Sequence, residues 1–423
     1  MTTRSIDING ARLLRRLDAF AALGATRAGG VNRQALSIED RQARALLAEL
    51  AIERGFRVYQ DPVANLFIRR DGTHDDLPPF MIGSHLDSQP TGGRFDGALG
   101  TLAAFEVLET LQDHAVVTDG PVEVVAWTNE EGSRFVPGVM GSMAFSLSHM
   151  PDVWKDIRDA QGTKLQDAIA ETLAALPAAE LRALGMPVAG YLELHIEQAP
   201  TLEREGVPIG IVTGVQGTRW LEIRVTGQAA HAGTTPLDHR RDPVVAATSA
   251  LNALYASIMP DDPEARFTVG RLSVEPDSIN AIPGLLRLTI DLRHPDAKRL
   301  SEIEALIIAL FQSSSHANGC TLDTRRTFDV APTIFAENII RESERAARRL
   351  GLPFRHMISG AFHDALYISR IAPTAMIFVP CRDGLSHNED EYVEPEHSIS
   401  GARMLFETVC GLLGQPAFGL PLV

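Results

Sequence analysis

The sequence predicts an α/β protein: a larger domain in which buried strands alternate with helices, and a smaller α+β domain inserted into it. Three observations carry this reading. At 423 residues the chain exceeds what one hydrophobic core usually serves, so two domains are expected. Short apolar runs recur along it and break off into Gly-rich or polar loops, the pattern of buried strands. From Gly217 the pattern changes to alternation of apolar and charged residues, as half-exposed antiparallel strands show.

The N-terminal stretch MTTRSIDINGARLLRRLDAF is amphipathic and unlike a signal peptide. Ser37 and Asp40 resemble a capping box, and Ala43, Leu46, Leu47 and Leu50 then recur at helical spacing until Gly55. A strand is expected at 65–68. The run 79–82 reads as a buried strand that ends in Gly83 and Ser84 and delivers His85 and Asp87 into a Gly-rich loop. Asp96 follows beside the start of a helix carrying Leu99, Leu102, Phe105, Leu108 and Leu111. Val122–Trp127 is β-rich and leads into Glu130 and Glu131, residues 151–187 read as helical cover, and the strand 191–194 discharges His195, Glu197 and Gln198.

In the smaller domain, Leu221, Ile223 and Val225 alternate with Glu222 and Arg224. Asp242 and Pro243 start a helix with Val244, Ala247, Leu251 and Leu254 on one face. Strands at 267–274 and 286–292, a helix with Ile303, Leu306, Ile307 and Leu310, and a strand near 321–328 complete a β-α-β-β-α-β order, that of a ferredoxin-like unit. The larger domain, 1–212, then resumes at 331–423 around this 213–330 insertion, with a helix at 339–350, a strand at Thr374–Val379, the loop CRDGLSHNEDE and a closing helix through Leu412.

Composition narrows the function. Apolar residues make up 45% and charged residues 22%, ordinary for a globular protein. A net charge of -15 argues against a nucleic-acid or anionic-membrane partner, which needs a basic patch. Cys320, Cys381 and Cys410 are too few and too scattered for a disulfide framework or a Cys-rich zinc site, so a cytoplasmic protein is expected. No apolar run approaches the roughly 18 residues of a spanning helix.

Ligands bind outside the carboxyl ends of strands in open α/β sheets. Four strands of the larger domain end in His85, the Glu130 and Glu131 pair, His195 and, after Val379, His387. With Asp96 this gives three imidazoles and two or three carboxylates on one sheet edge. Such a mixture suits Zn²⁺, Mn²⁺ or Co²⁺ and is too rich for one tetrahedral ion. Two ions about 3.5–4 Å apart, bridged by a carboxylate and a water, would use the whole set. His74, His114, His149, His239, His294, His316, His356 and His397 read as solvated or locally bonded histidines.

The segments GSHLDSQPTGGRFDG, WTNEEGSRF, LELHIEQ, GQAAHAGTTP, NAIPG, DLR and GLSHNEDE, in this order, closely resemble the zinc-dependent hydantoinase/carbamoylase amidases. That group holds N-carbamoyl-L-amino acid hydrolases, β-ureidopropionases and allantoate amidohydrolases within the dinuclear aminopeptidase-like enzymes. The resemblance implies an aminopeptidase-like mixed-sheet catalytic domain with helices on both faces, plus a ferredoxin-like lid and dimerisation domain. It implies two divalent ions, Zn²⁺ first and Mn²⁺, Co²⁺ or Ni²⁺ as alternatives. His85 and His195 would hold one, Glu131 and His387 the other, with Asp96 bridging. Glu130 would be the free carboxylate that moves a proton from a bridging hydroxide's water to the leaving nitrogen. Asp87 would accept a ring N–H of His85. His231 would reach the active site of the partner subunit in a homodimer and support the oxyanion. Gln216, Asn280 and Arg293 would contact the polar end of a small carboxylate-bearing amide or ureido substrate, with domain movement about hinges near 213 and 330. Ala361, Phe362 and His363 would lie at its carboxylate end, and Phe362 replaces a usual Gly. The expected reaction is hydrolysis of an N-carbamoyl amino acid or related ureido acid. The alternatives are allantoate or an N-acyl amino acid or conjugate as substrate and, from another class, a non-catalytic small-molecule binding protein.

Overall fold

The computed structural model describes residues 6–259 and 261–414. Its described chain forms two compact units: residues up to Thr213 with those from Phe335 onward, and Gly214–Ile334 between them. In the larger unit the centre of the sheet is four parallel strands in the order Val122–Trp127, Phe80–His85, Gly190–Ile196 and Thr374–Val379. Every residue of these four is buried, which explains their near-continuous apolar sequences. Antiparallel strands extend the sheet on one side through Leu66–Arg70 and Arg57–Gln60, and on the other through Ile209–Val215, with which Phe354–Ser359 pairs.

Helices cover this sheet on both faces. Ala98–Asp113 is buried along almost its whole length between the strands and the helix Pro395–Leu412. Ile38–Glu53, Met140–Leu147 and Ala365–Ile368 pack elsewhere on the sheet, and Phe135, Met140, Trp154 and Leu165 join one apolar cluster. Half of the expected capping box forms: Ser37 accepts from the Asp40 N–H at 3.2 Å, but Asp40 Oδ2 accepts from the N–H of Leu36, one residue before the cap, at 2.8 Å.

Two expectations change. Within 151–187 only Leu165–Ala174 is an α-helix, and Glu180–Leu181 is instead a short parallel edge strand beside Arg57–Gln60. The Gly and Pro residues at 162, 177, 185 and 187 break what its Ala and Leu content favours. The strand at 79–82 continues through Gly83 and Ser84 to His85, because its neighbour Val122–Trp127 supplies partners to the end.

The smaller unit has a four-stranded antiparallel sheet in the order Arg266–Glu275, Leu285–His294, Gly217–Thr226 and Thr321–Val330. Leu221, Ile223, Val225, Leu286, Leu288 and Ile290 face two helices, Pro243–Ile258 and Ala297–Ala317, whose Leu254, Ile303 and Ile307 close the core. This is the ferredoxin-like order the alternation suggested.

Candidate metal centre

All four parallel strands release their chains at one edge of the sheet, and the side chains carried there converge. His85 is the last residue of its strand, and its Nδ1 lies 2.9 Å from the Asp87 carbonyl oxygen. That contact turns Nε2 inward, 3.6 Å from Asp96 Oδ1 and 3.5 Å from Glu130 Oε2. His195 repeats the device, with Nδ1 3.0 Å from the Ile196 carbonyl oxygen and Nε2 3.1 Å from Asp96 Oδ1. His387 Nε2 is 3.5 Å from Asp96 Oδ2 and 3.1 Å from Glu131 Oε2. Asp96 is therefore shared: one oxygen faces His85 and His195, the other faces His387.

Gly97 allows this approach. It has φ +63°, and a Cβ there would overlap the His85 ring. Asn129, Gln198 and His387, each in a loop at the site, also have positive φ, a concentration typical of functional loops. The side chains of His85 and His195 are 1% exposed, whereas that of His387 is 50% exposed.

Asp87 differs from its expected part. Its carbonyl oxygen, rather than its carboxylate, accepts from His85, while the carboxylate accepts from the N–H groups of Glu130 (3.3 Å) and Glu131 (3.2 Å). A carboxylate two residues beyond the strand end reaches the neighbouring turn more easily than it folds back onto His85, 3.7 Å away.

The electrostatics are those of a crowded anionic pocket. Burial pushes Glu130 well above the usual carboxylate range, and Asp364, Glu131, Asp96 and Asp87 push it further. Burial alone would raise Asp96, yet the three imidazoles around it hold it far below. Burial works against charge on His195, but Asp96 raises it to about 9, and Glu131 with Asp96 raises His387 to about 9.

Two ligand groups share Asp96: His85, Asp96 and His195, and Asp96, Glu131 and His387, with the donor atoms of each within 4.8 Å of one another. The Nε2 atoms of His85 and His195 are buried and lack hydrogen bonds, as ring nitrogens reserved for a cation would be. Imidazole nitrogen with carboxylate oxygen fits divalent zinc, manganese or cobalt.

Sequence reasoning gave several neighbours no part in the site. Gln198 Nε2 (2.9 Å) and Ser386 Oγ (2.8 Å) both donate to Asp96 Oδ2, and Gln89 Nε2 donates to Glu131 Oε2 at 2.8 Å. Glu193, buried inside its strand, accepts from Ser84 Oγ and the Ala365 N–H. An acidic residue within an otherwise apolar strand was the available signal. Glu193, His195 and His363 form a third ligand-type group. His363 is buried, its ring centroid 4.5 Å from that of His195 and its Nε2 3.0 Å from Ser359 Oγ. Ala361 and Phe362 precede it and are half-buried.

The other expected residues belong to the smaller unit. Exposed His231 lies on a two-stranded ribbon opposite Ala281, next to Asn280, whose carbonyl accepts from the Ala232 N–H. Arg293 donates through Nε (2.9 Å) and a terminal nitrogen (2.8 Å) to the carboxylate of Asp291 on its own strand. Gln216, 9% exposed, immediately precedes the strand Gly217–Thr226.

Residues 81–410 match Peptidase family M20/M25/M40. An N-carbamoyl-L-amino acid amidohydrolase of Geobacillus stearothermophilus is 39% identical over 95% of this chain and 98% of its own length. Allantoate amidohydrolase of Bacillus subtilis is 32% identical, over 92% of this chain and 94% of its own length. Among solved structures, an amidase of the hydantoinase/carbamoylase family from Burkholderia multivorans superposes with a TM-score of 0.90 at 40% identity, covering 97% of this chain and 99% of the other. On these matches the chain belongs to Peptidase family M20/M25/M40, among its hydantoinase/carbamoylase amidases.

Proposed function

We propose that this chain, a hydrolase of the carbamoylase and allantoate amidohydrolase type, cleaves the C–N bond of an N-carbamoyl amino acid or related ureido acid. Water enters, and an amino acid, ammonia and carbon dioxide leave. The observation that carries the reading is Glu130: it lies 3.5 Å from His85 Nε2, yet it belongs to neither ligand group sharing Asp96. When bound, two divalent ions, zinc first, would supply carbonyl polarisation and lower the pKa of a nearby water. His85, Asp96 and His195 would hold one, and Asp96, Glu131 and His387 the other.

Glu130 then serves as general base and acid, taking the proton of the attacking water and returning it to the leaving nitrogen. A carboxyl group whose proton affinity burial has raised is suited to both taking and returning a proton. His231 stabilises the oxyanion from the neighbouring subunit of a homodimer. Its Nδ1 accepts the N–H groups of Gly233 (3.0 Å) and Thr234 (3.2 Å), which leaves Nε2 as the ring's donor. Gln216, Asn280 and Arg293 bind the polar end of the substrate, and Ala361, Phe362 and His363 wall its carboxylate end. The protein works in the cytoplasm.

Phe362 favours a second reading of the substrate alone. A half-buried phenyl ring where a resembling enzyme carries Gly leaves less room and an apolar wall, which would suit an N-acyl amino acid or conjugate; allantoate remains the other alternative. Ammonia or amine release from N-carbamoyl-L-amino acids, N-carbamoyl-β-alanine, allantoate and N-acyl amino acids tests both readings. Ammonia from a carbamoyl compound is expected. No release from any carbamoyl or ureido compound, with turnover of an N-acyl amino acid, would replace the first reading by the second.

A further inference from the structure

The two metal-ligand groups are built differently. The first uses His85 and His195, both 1% exposed, on the ends of buried strands, with Asp96 Oδ1. The second depends on His387, which is 50% exposed and sits in a loop with φ +55°. Something must hold that loop to Asp96, and the candidate is a buried carboxylate four residues further on. Glu391 is 2% exposed, and its Oε1 accepts the N–H groups of both Phe95 and Asp96 at 3.0 Å. Its Oε2 faces Ser386 Oγ at 3.1 Å, and the same hydroxyl lies 2.8 Å from Asp96 Oδ2 and 3.1 Å from Gln198 Nε2. Gly93 has no side chain because a Cβ there would overlap the Glu391 carboxylate.

We propose that Glu391, acting through Ser386, is a positioning residue that sets the affinity of the second metal position, formed by Asp96 Oδ2, Glu131 and His387, while leaving the first position unchanged. The inference rests on the two-ion reading of the site. One carboxylate ties the main chain of the shared ligand to the residue next to His387, joining segments some 290 positions apart in the sequence. Ser386 has one hydroxyl proton for two carboxylates. With a cation bound at the second position, Asp96 would need the Ser386 proton less and Glu391 could take it, which would tighten the clasp. The first position draws on Oδ1 and two strand-borne rings, whereas the Ser386 hydroxyl bonds to Asp96 Oδ2, Glu391 and Gln198.

The test is a titration of metal-stripped full-length protein with Co²⁺, read by the visible spectrum and by bound metal after dialysis. Wild type should take up two ions per chain. Glu391→Ala should keep the first at wild-type affinity and bind the second about 10-fold to 100-fold more weakly. Glu391→Gln keeps an oxygen for the two backbone N–H groups and should restore much of the loss. Ser386→Ala, a small change on a half-buried loop, should weaken the second ion several-fold with the melting temperature unchanged, and it decides the matter if Glu391→Ala does not fold. Equal second-ion affinity in Ser386→Ala and wild type, or parallel weakening of both ions in a folded Glu391→Ala, would overturn the proposal. Failure of wild type itself to bind two ions would instead remove the two-ion reading.

Discussion

Glu130 and Glu131 are chemically identical neighbours, and the structure gives them different surroundings. Glu131 Oε2 meets His387 Nε2 and the Gln89 amide, whereas Glu130 turns towards His85 in a pocket shared with Asp364. Asp87 makes the division possible by accepting both backbone N–H groups, which fixes the turn so that the two side chains diverge. Glu130→Gln keeps the shape and removes the proposed base. The expected result is unchanged metal content with turnover reduced by about 10²–10⁴-fold, the usual worth of a general base, measured by ammonia release beside elemental analysis. Turnover within a few-fold of wild type would exclude Glu130 from proton transfer. These residues were legible in the sequence because each follows an apolar strand in a polar loop. Glu391 was not, since its role depends on backbone groups of Phe95 and Asp96 that only the folded chain brings near.

At the scale of elements, the site is the product of four parallel strands ending at one level and of loops that bend sharply just beyond them. The loop from Ser88 to Gly97 is the most constrained, because it must lay Asp96 between three imidazoles and then start a buried helix. Gly97→Ala combines a left-handed backbone with an overlap against His85. Its expected effect is weaker metal binding at the His85 and His195 position, with a melting temperature lowered by a few degrees, measured by metal titration and thermal unfolding. Metal affinity equal to wild type would show that the loop has more freedom than its packing indicates. The central strands and the ferredoxin-like order could be read from apolar runs and alternation. Ile209–Val215 could not, because Gly210 and Gly214 interrupt its pattern where Met357, Phe378 and the Thr333 carbonyl approach closely. Residues 151–187 misled for the opposite reason, since high helix propensity there is overridden by glycines and prolines.

For the molecule as a whole, a net charge of -15 accompanies a pocket that itself concentrates carboxylates, and divalent cations are the counter-charge this chemistry calls for. None of the described helices is long and apolar enough to cross a membrane. The proposed chemistry is a metal-dependent hydrolysis, and the most direct measurement is the activity of the full-length chain before chelation, after exhaustive chelation, and after stepwise return of Zn²⁺, Mn²⁺ or Co²⁺, with bound metal counted at each stage. Hydrolysis should vanish on chelation and return as the chain approaches two ions. Hydrolysis that persists in metal-stripped protein, or that is complete with no metal bound, would contradict the account.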